Sequence, residues 1–311
     1  MRTPLTLFLL VAGVIWPRER TVAVEYNVAV RGVPEHGRVE LWVPVPPDDE
    51  SQTVTGLRFT SPGASQVSGD ALGNRYFYAV LAANGTIGMS FRATRRERVQ
   101  RPGGPPAKGM DTGPDCCLGP DRLVPIDGKI STWASQVVAA AKAERDIEKA
   151  RAIYNHVIAT VKYDKSGKGW GRGDIYYACD ARRGNCTDFH AIFIGYSRAV
   201  GVPARFAIGL PLPEERGNGE ISGYHCWAEF FAKGTGWVPI DASEAAKAPA
   251  RREYFFGAHD ENRIEFSRGR DLVLSPPQRG EPLNFFIYPY AELDGKPFAG
   301  LETKITYRDI E

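Results

Sequence analysis

The chain has 311 residues, 43% of them hydrophobic and 24% charged, with 39 basic and 37 acidic side chains for a net charge of +2. That length is enough to bury a core and suits roughly one to three domains. The even charge balance excludes the basic footprint of a nucleic-acid-binding protein, and the short run Arg95-Arg96-Glu97-Arg98 is interrupted by an acid and reads as a solvated strand end.

Leu5 to Ile15 is an apolar run broken by Thr6 and Gly13 and preceded by Arg2. Its length fits the apolar region of a secretory signal peptide and is short for a bilayer span. Residues 1–17 are therefore expected to be a signal peptide; a first buried strand or a misplaced start are the alternatives. Export predicts a periplasmic or secreted protein with no stable membrane span in the mature chain. Without that signal the chain is cytoplasmic.

Residues 18–100 are expected to form a β domain. Val22, Val24, Tyr26, Val28 and Val30 alternate with other residues, as do Val39, Leu41, Val43 and Val45. Period-two patterns mark half-buried strands. Turn signals at Pro46-Pro47-Asp48-Asp49 and Gly73-Asn74 separate them, and an antiparallel sandwich follows. Residues 101–122 are rich in Pro and Gly and read as a linker or long loop.

Helical periods begin after that. Ser131 or Thr132 is the expected cap of a helix with Trp133, Val137, Val138 and Ala141 on its apolar face. A second helix carries Ile147, Ala150, Ile153, Tyr154, Val157, Ile158 and Val161. The glycine-spaced basic stretch 165–172, KSGKGWGR, lacks the order of a phosphate loop and reads as a loop bordering a cleft. A third helix, Cys186 to Val200, stops at Gly201 and Val202-Pro203. Strands are expected at Ala204 to Gly209, Tyr224 to Phe231 and Trp237 to Ile240. Residues 249–311 alternate again at Leu272 to Leu274, Phe285 to Tyr288 and Ile305 to Tyr307, and are expected to pack as strands on the core or the N-terminal domain.

The cysteines are Cys116, Cys117, Cys179, Cys186 and Cys226, with no CxxC pair, which argues against a zinc ribbon or a thioredoxin-like motif. Cys186 is in phase with Phe189, Ile192, Phe193, Tyr196 and Val200, so it points inward from the first turn of a buried helix. Free backbone N–H groups and the helix dipole at that end favour a thiolate. Gly184 lets the chain turn sharply there and lets a substrate approach. A thiolate nucleophile needs a base, and the base needs an orienter. His225 and Asp241 lie on neighbouring predicted strands and supply both. The remaining four cysteines allow up to two disulfides, with adjacent Cys116 and Cys117 expected to take different partners because a vicinal bridge is strained.

Residues GNCTDFHAIFIGYSRAVGVPARF, YHCWAEF and GWVPIDAS, in that order, resemble the transglutaminase-like superfamily of cysteine enzymes. The resemblance covers roughly residues 125–245. It implies an α+β, papain-like core at 123–248, with the nucleophile helix packed on an antiparallel sheet. It also implies nucleophile, base and orienter roles for Cys186, His225 and Asp241, and acyl transfer on amide bonds of a peptide or protein, cell-wall peptide included. Eukaryotic transglutaminases place Trp after the cysteine and bind calcium; here Thr187 follows Cys186, and there is no EF-hand-like loop. Hydrolysis is thus the first expectation, with protein cross-linking or non-catalytic peptide or glycan binding as alternatives. No cofactor is implied.

Four further residues are candidates for the cleft or for an oxyanion donor: Trp170, Asn185, His190 and Tyr224. Cys186 and His190 are spaced to chelate a metal on a helix, but His225 and Cys226 point to opposite faces of a strand, and no metal is expected. His190 then lines the cleft floor or donates to a buried carbonyl. Asp188 is expected to favour the helix start, and Glu229 to pair with a basic residue.

Overall fold

A computed structural model describes residues 17–101, 103–104 and 113–310. The expected signal peptide and much of the Pro/Gly-rich segment lie outside the described residues. Six strands come first: β1 (Glu19–Val30), β2 (Val39–Val45), β3 (Gln52–Thr60), β4 (Ser65–Gly69), β5 (Arg75–Leu81) and β6 (Gly85–Arg96). The short β7 (Arg98–Val99) leads to helices α1 (Gly128–Ala140) and α2 (Asp146–Thr160), then β8 (Lys162–Tyr163), α3 (Ile175–Ala181), β9 (Arg183–Gly184) and α4 (Cys186–Ala199). Next come β10 (Ala204–Pro211), β11 (Asn218–Glu220), β12 (His225–Ala232), β13 (Gly236–Ile240) and α5 (Ala242–Lys247). The chain closes with β14 (Ala258–His259), β15 (Arg263–Arg268), β16 (Tyr290–Leu293), β17 (Lys296–Pro297) and β18 (Leu301–Ile310).

The alternation in β1 buries Val22, Val24, Tyr26, Val28 and Val30 on one face. Two five-stranded sheets share that core, in the orders β11-β18-β1-β6-β3 and β17-β16-β2-β5-β4. Phe59 of the first stacks on Phe77 of the second at 4.4 Å. The C-terminal strands complete both sheets. β18 runs antiparallel to β1 from Thr21–Ile310 to Val30–Leu301, and β16 lies beside β2. Each covers backbone that would otherwise be an open sheet edge.

The core sheet has the order β13-β12-β10-β15. Helix α4 is buried from Cys186 through Arg198, more than one apolar face predicts. The sheet covers one side of it, and α1, α2 and α3 cover the other. A helix enclosed on all sides ceases to be amphipathic.

Several expectations are corrected. Helix α1 starts at Gly128 behind Asp127, and Thr132 is interior, its hydroxyl donating back to the Gly128 carbonyl at 3.1 Å. Helix α3 was not predicted; Asp174 caps it by accepting from Tyr176 and Tyr177 N–H. Residues 272–274 and 285–288 form no strand and have only the isolated bridge Leu272–Leu283. Leu272, Leu274 and Phe286 instead fill a satellite cluster with Trp42 and Tyr76: burial sets their apolar pattern, with no strand partner to pair. Cys116 and Cys117 are bridged to each other in a single 3₁₀ turn, against the expectation of separate partners. The other three cysteines are unbridged and are occupied within the helical and sheet core. No helix among the described residues is long and apolar enough to cross a membrane.

Candidate active site

Asn185 is the N-cap of α4 and Cys186 its first residue. The Asn185 side-chain oxygen accepts from Thr187 N–H at 3.0 Å. By position the Cys186 N–H has no acceptor inside the helix. Asp188 acts one turn in, and its work is larger than a dipole interaction. Its carboxylate accepts from Asn185 N–H at 2.9 Å, Gly171 N–H at 2.7 Å and Gly173 N–H at 3.1 Å. It thereby ties the glycine-spaced loop to the start of the helix. Gly184 is needed for this carboxylate rather than for a substrate, because a Cβ there would lie 2.2 Å from Asp188 Oδ2.

His225 opens β12 and Asp241 follows the last residue of β13. The register pairs Ala228 with Ile240, so Asp241 lies level with Trp227 and diagonal to His225 on one face. His225 Nε2 is 2.7 Å from Asp241 Oδ2. That leaves Nδ1 free of Asp241, and the Cys186 sulfur is near enough to raise the imidazole's pKa. The structure joins His225 to Asp241 and brings both close enough to Cys186 for the imidazole and the sulfur to shift each other's charge.

Asp241 does more than orient the imidazole. Its Oδ1 accepts from Ser243 Oγ and Glu244 N–H, both at 3.0 Å, and so caps α5. Its Oδ2 also takes Arg263 Nη1 at 3.0 Å. Arg263 comes from β15, is 2% exposed, and holds Asp260 with its other nitrogen at 3.3 Å. It went unnoticed in the sequence, where no motif marks it.

The electrostatics follow from these contacts. Burial opposes the Cys186 thiolate, but hydrogen bonds from Cys226 and His225 and the nearby imidazolium outweigh it, and the thiol is held well below its usual range. Burial likewise opposes the His225 cation, but Asp241 and the Cys186 sulfur raise it to about 10. Asp241 is pushed down against burial by His225 and Arg263. These charges favour a thiolate–imidazolium pair at neutral pH.

A cleft of about 450 Å³ opens beside the pair, with Tyr163, Trp170, Asn185, Tyr224 and His225 among its walls. A larger hollow of about 900 Å³ is walled by residues of the four helices α1 to α4 and shares no wall with it. Trp170 lies on the rim, with Lys165 over its ring at 5.9 Å. Asn185 Nδ2 donates to the Tyr224 hydroxyl at 3.0 Å, and that hydroxyl donates to the Gly171 carbonyl at 3.3 Å. Asn185 and Tyr224 thus brace the loop, with the Tyr224 hydroxyl proton and one Asn185 amide proton committed. His190 does not line the cleft. It is fully buried behind Cys186 and accepts from Ala242 N–H through Nε2 at 3.2 Å. Glu229 pairs with Arg98 and with Arg205, the latter at 2.5 Å. Neighbours in β12, His225 and Cys226 take different partners, Asp241 at 2.7 Å and His190 at 3.7 Å. His225 is the first residue of its strand, and the nucleophile sits at that strand's end.

The profile of the transglutaminase-like superfamily matches residues 131–242. An uncharacterized protein of Haemophilus influenzae is 27% identical over 312 residues, covering 86% of this chain and 84% of that protein. A crystal structure from Cytophaga hutchinsonii, described as that of a candidate cysteine protease, superposes with a TM-score of 0.63 at 18% identity, covering 94% of this chain and 92% of that one. That likeness is one of fold. The periplasmic domain of TgpA from Pseudomonas aeruginosa is similar at a TM-score of 0.38 and 14% identity, over 73% of this chain and 90% of that domain. Residues 131–242 thus carry the match to the transglutaminase-like superfamily, and they hold α4 and the strands β10, β12 and β13 on which it packs.

Proposed function

We propose that this protein hydrolyses amide bonds of peptides or proteins through a thioester on Cys186. The observation that carries the reading is His225, bonded to Asp241 at 2.7 Å through Nε2, which leaves its other ring nitrogen for the Cys186 sulfur that acts on its charge. In this mechanism the Cys186 thiolate attacks the amide carbonyl carbon. The Cys186 N–H at the helix start donates to the oxyanion. Collapse of the tetrahedral intermediate breaks the C–N bond, and the His225 proton goes to the leaving amine. His225, now neutral, takes a proton from water, whose oxygen attacks the thioester. The acid leaves and the ion pair is restored.

Iodoacetamide labelling of the reduced protein, followed peptide by peptide in a mass spectrometer, tests the nucleophile. Cys186 is expected to alkylate well ahead of Cys179 at pH 6, since burial raises the Cys179 thiol. Equal rates at that pH would sink the proposal. A fluorogenic peptide screen with Cys186→Ala as control, run with and without a primary amine, separates hydrolysis from amine transfer by product mass.

A further inference from the structure

The charged side chains of the cleft wall pair off, with one exception. Glu214 and Asp260 are held by Arg251 at 2.9 and 3.0 Å, and Asp260 also by Arg263 at 3.3 Å. Glu244 is bound to Lys247, and His225 to Asp241 at 2.7 Å. Lys165 belongs to the same wall, yet among the described residues no carboxylate lies within ion-pair distance of it. The adjacent Asp164 is turned away, accepting from Ser166 N–H and Oγ at 2.8 and 3.0 Å. The Lys165 ammonium lies instead over two rings of the wall, Tyr163 at 5.8 Å and Trp170 at 5.9 Å. Lys247 sits over the same Tyr163 ring at 4.5 Å. Ring faces attract an ammonium but give it no oxygen to bond. Lys165 is exposed, so its donors are left to solvent or to whatever enters the cleft. Its loop is pinned beside the nucleophile, because Asp188 in the first turn of α4 takes Gly171 and Gly173 N–H at 2.7 and 3.1 Å.

We propose that Lys165 is a specificity-determining residue, which selects peptide substrates carrying a carboxylate near the scissile amide. A carboxylate is the anion that a peptide brings, on an acidic side chain or at a free C-terminus, and it completes the one unpaired charge of the wall. The Tyr163 and Trp170 rings that hold the ammonium also offer apolar surface to the methylene groups of an acidic side chain. A cationic substrate residue meets the reverse situation. The acids of the wall are already taken by Arg251, Arg263 and Lys247, and Lys165 repels it, so the same arrangement discriminates in both directions. The assignment rests on amide hydrolysis at Cys186.

The test is a ratio of kcat/KM values for the full chain on internally quenched peptide pools, amidated at the C-terminus, with Glu or Gln fixed at each position in turn. At the preferred position the Glu pool is expected to be cleaved about threefold to fivefold faster than the Gln pool, the size of one solvent-screened ion pair. Salt at about 1 M is expected to bring that ratio close to one. A second series, Gln peptides ending in a free carboxylate or an amide, reads a terminal carboxylate in the same way. Lys165→Met is expected to bring the ratio to about one, Lys165→Glu to reverse it, and Lys165→Arg to keep most of it. Lys168→Met, in the same loop but outside the cleft wall, is expected to keep the parent ratio. A merely structural role moves both members of a pair together and leaves the ratio unchanged. Equal rates in both series, or a parent preference that Lys165→Met retains, overturn the assignment and leave hydrolysis standing. A parent that cleaves no pool fails the hydrolysis reading itself, and the substrate assignment falls with it.

Discussion

Asp241→Asn changes one atom and reverses a hydrogen bond. The Asn side-chain oxygen can keep the cap on α5, where Ser243 Oγ and Glu244 N–H donate at 3.0 Å. Its NH₂ then occupies the place of Oδ2, facing His225 Nε2 at 2.7 Å and Arg263 Nη1 at 3.0 Å. An amide donor cannot satisfy the arginine, and it forces Nε2 of the imidazole to accept. The one ring proton moves to Nδ1, toward Cys186, and His225 loses the lone pair that takes the thiol proton. With Asp241 also gone as the charge that raises His225 to about 10, the ion pair collapses. A thiol of ordinary pKa near 8.5 is ~0.3% ionised at pH 6, about a 300-fold loss of thiolate, and the greater nucleophilicity of a more basic sulfur returns about tenfold. Alkylation of Cys186 at pH 6 is therefore expected to fall by roughly 10- to 30-fold. On an amide substrate the wrong tautomer is expected to cost on the order of 10³–10⁴ in kcat. Circular dichroism establishes that the variant is folded, and rates come from peptide-resolved labelling. A folded Asp241→Asn protein that alkylates at the parent rate at pH 6 would refute the reasoning.

Three other outcomes are expected. Cys186 alkylation in the parent forms a plateau through neutral pH, with a second inflection near 10 as the imidazolium raised to that value loses its proton; a single rise near the ordinary thiol range of about 8.5 contradicts the pair. Arg263→Met leaves Asp241 and Asp260 short of a buried cation and is expected to cost about 3–5 kcal/mol in denaturant unfolding, whereas a loss under about 1 kcal/mol would show the arginine to be dispensable. Asp188→Asn presents an amide to backbone N–H groups that need acceptors. It is expected to cost about 1–3 kcal/mol and to speed hydrogen exchange at Gly171 and Gly173, and unchanged exchange there would count against the bracing role.

Much of the site was legible because it is written in local pattern. The period of α4 turns Cys186 inward from a helix start, and strand alternation with a glycine turn brings His225 and Asp241 onto neighbouring strands. What escaped depends on through-space partners. Asp188 looked like a helix-start charge, since the 171–173 loop it holds is distant in the chain. Asp241 reads in the sequence as an orienter, and its second oxygen caps α5 as well.

The amino-acid sequence by itself determined the type of the long periodic elements, β1, β2, α2 and α4 among them, the β-rich flanks around a helical core, and the order Cys186, His225, Asp241. Periodicity and turn chemistry are local properties, and they survive without knowledge of neighbours. Only the tertiary structure decided that β18 and β16 close the N-terminal sheets, that Arg263 of β15 anchors Asp241, and that His190 of α4 meets Cys226 of β12. Those partnerships are set by sheet order and register, which join residues far apart in the chain.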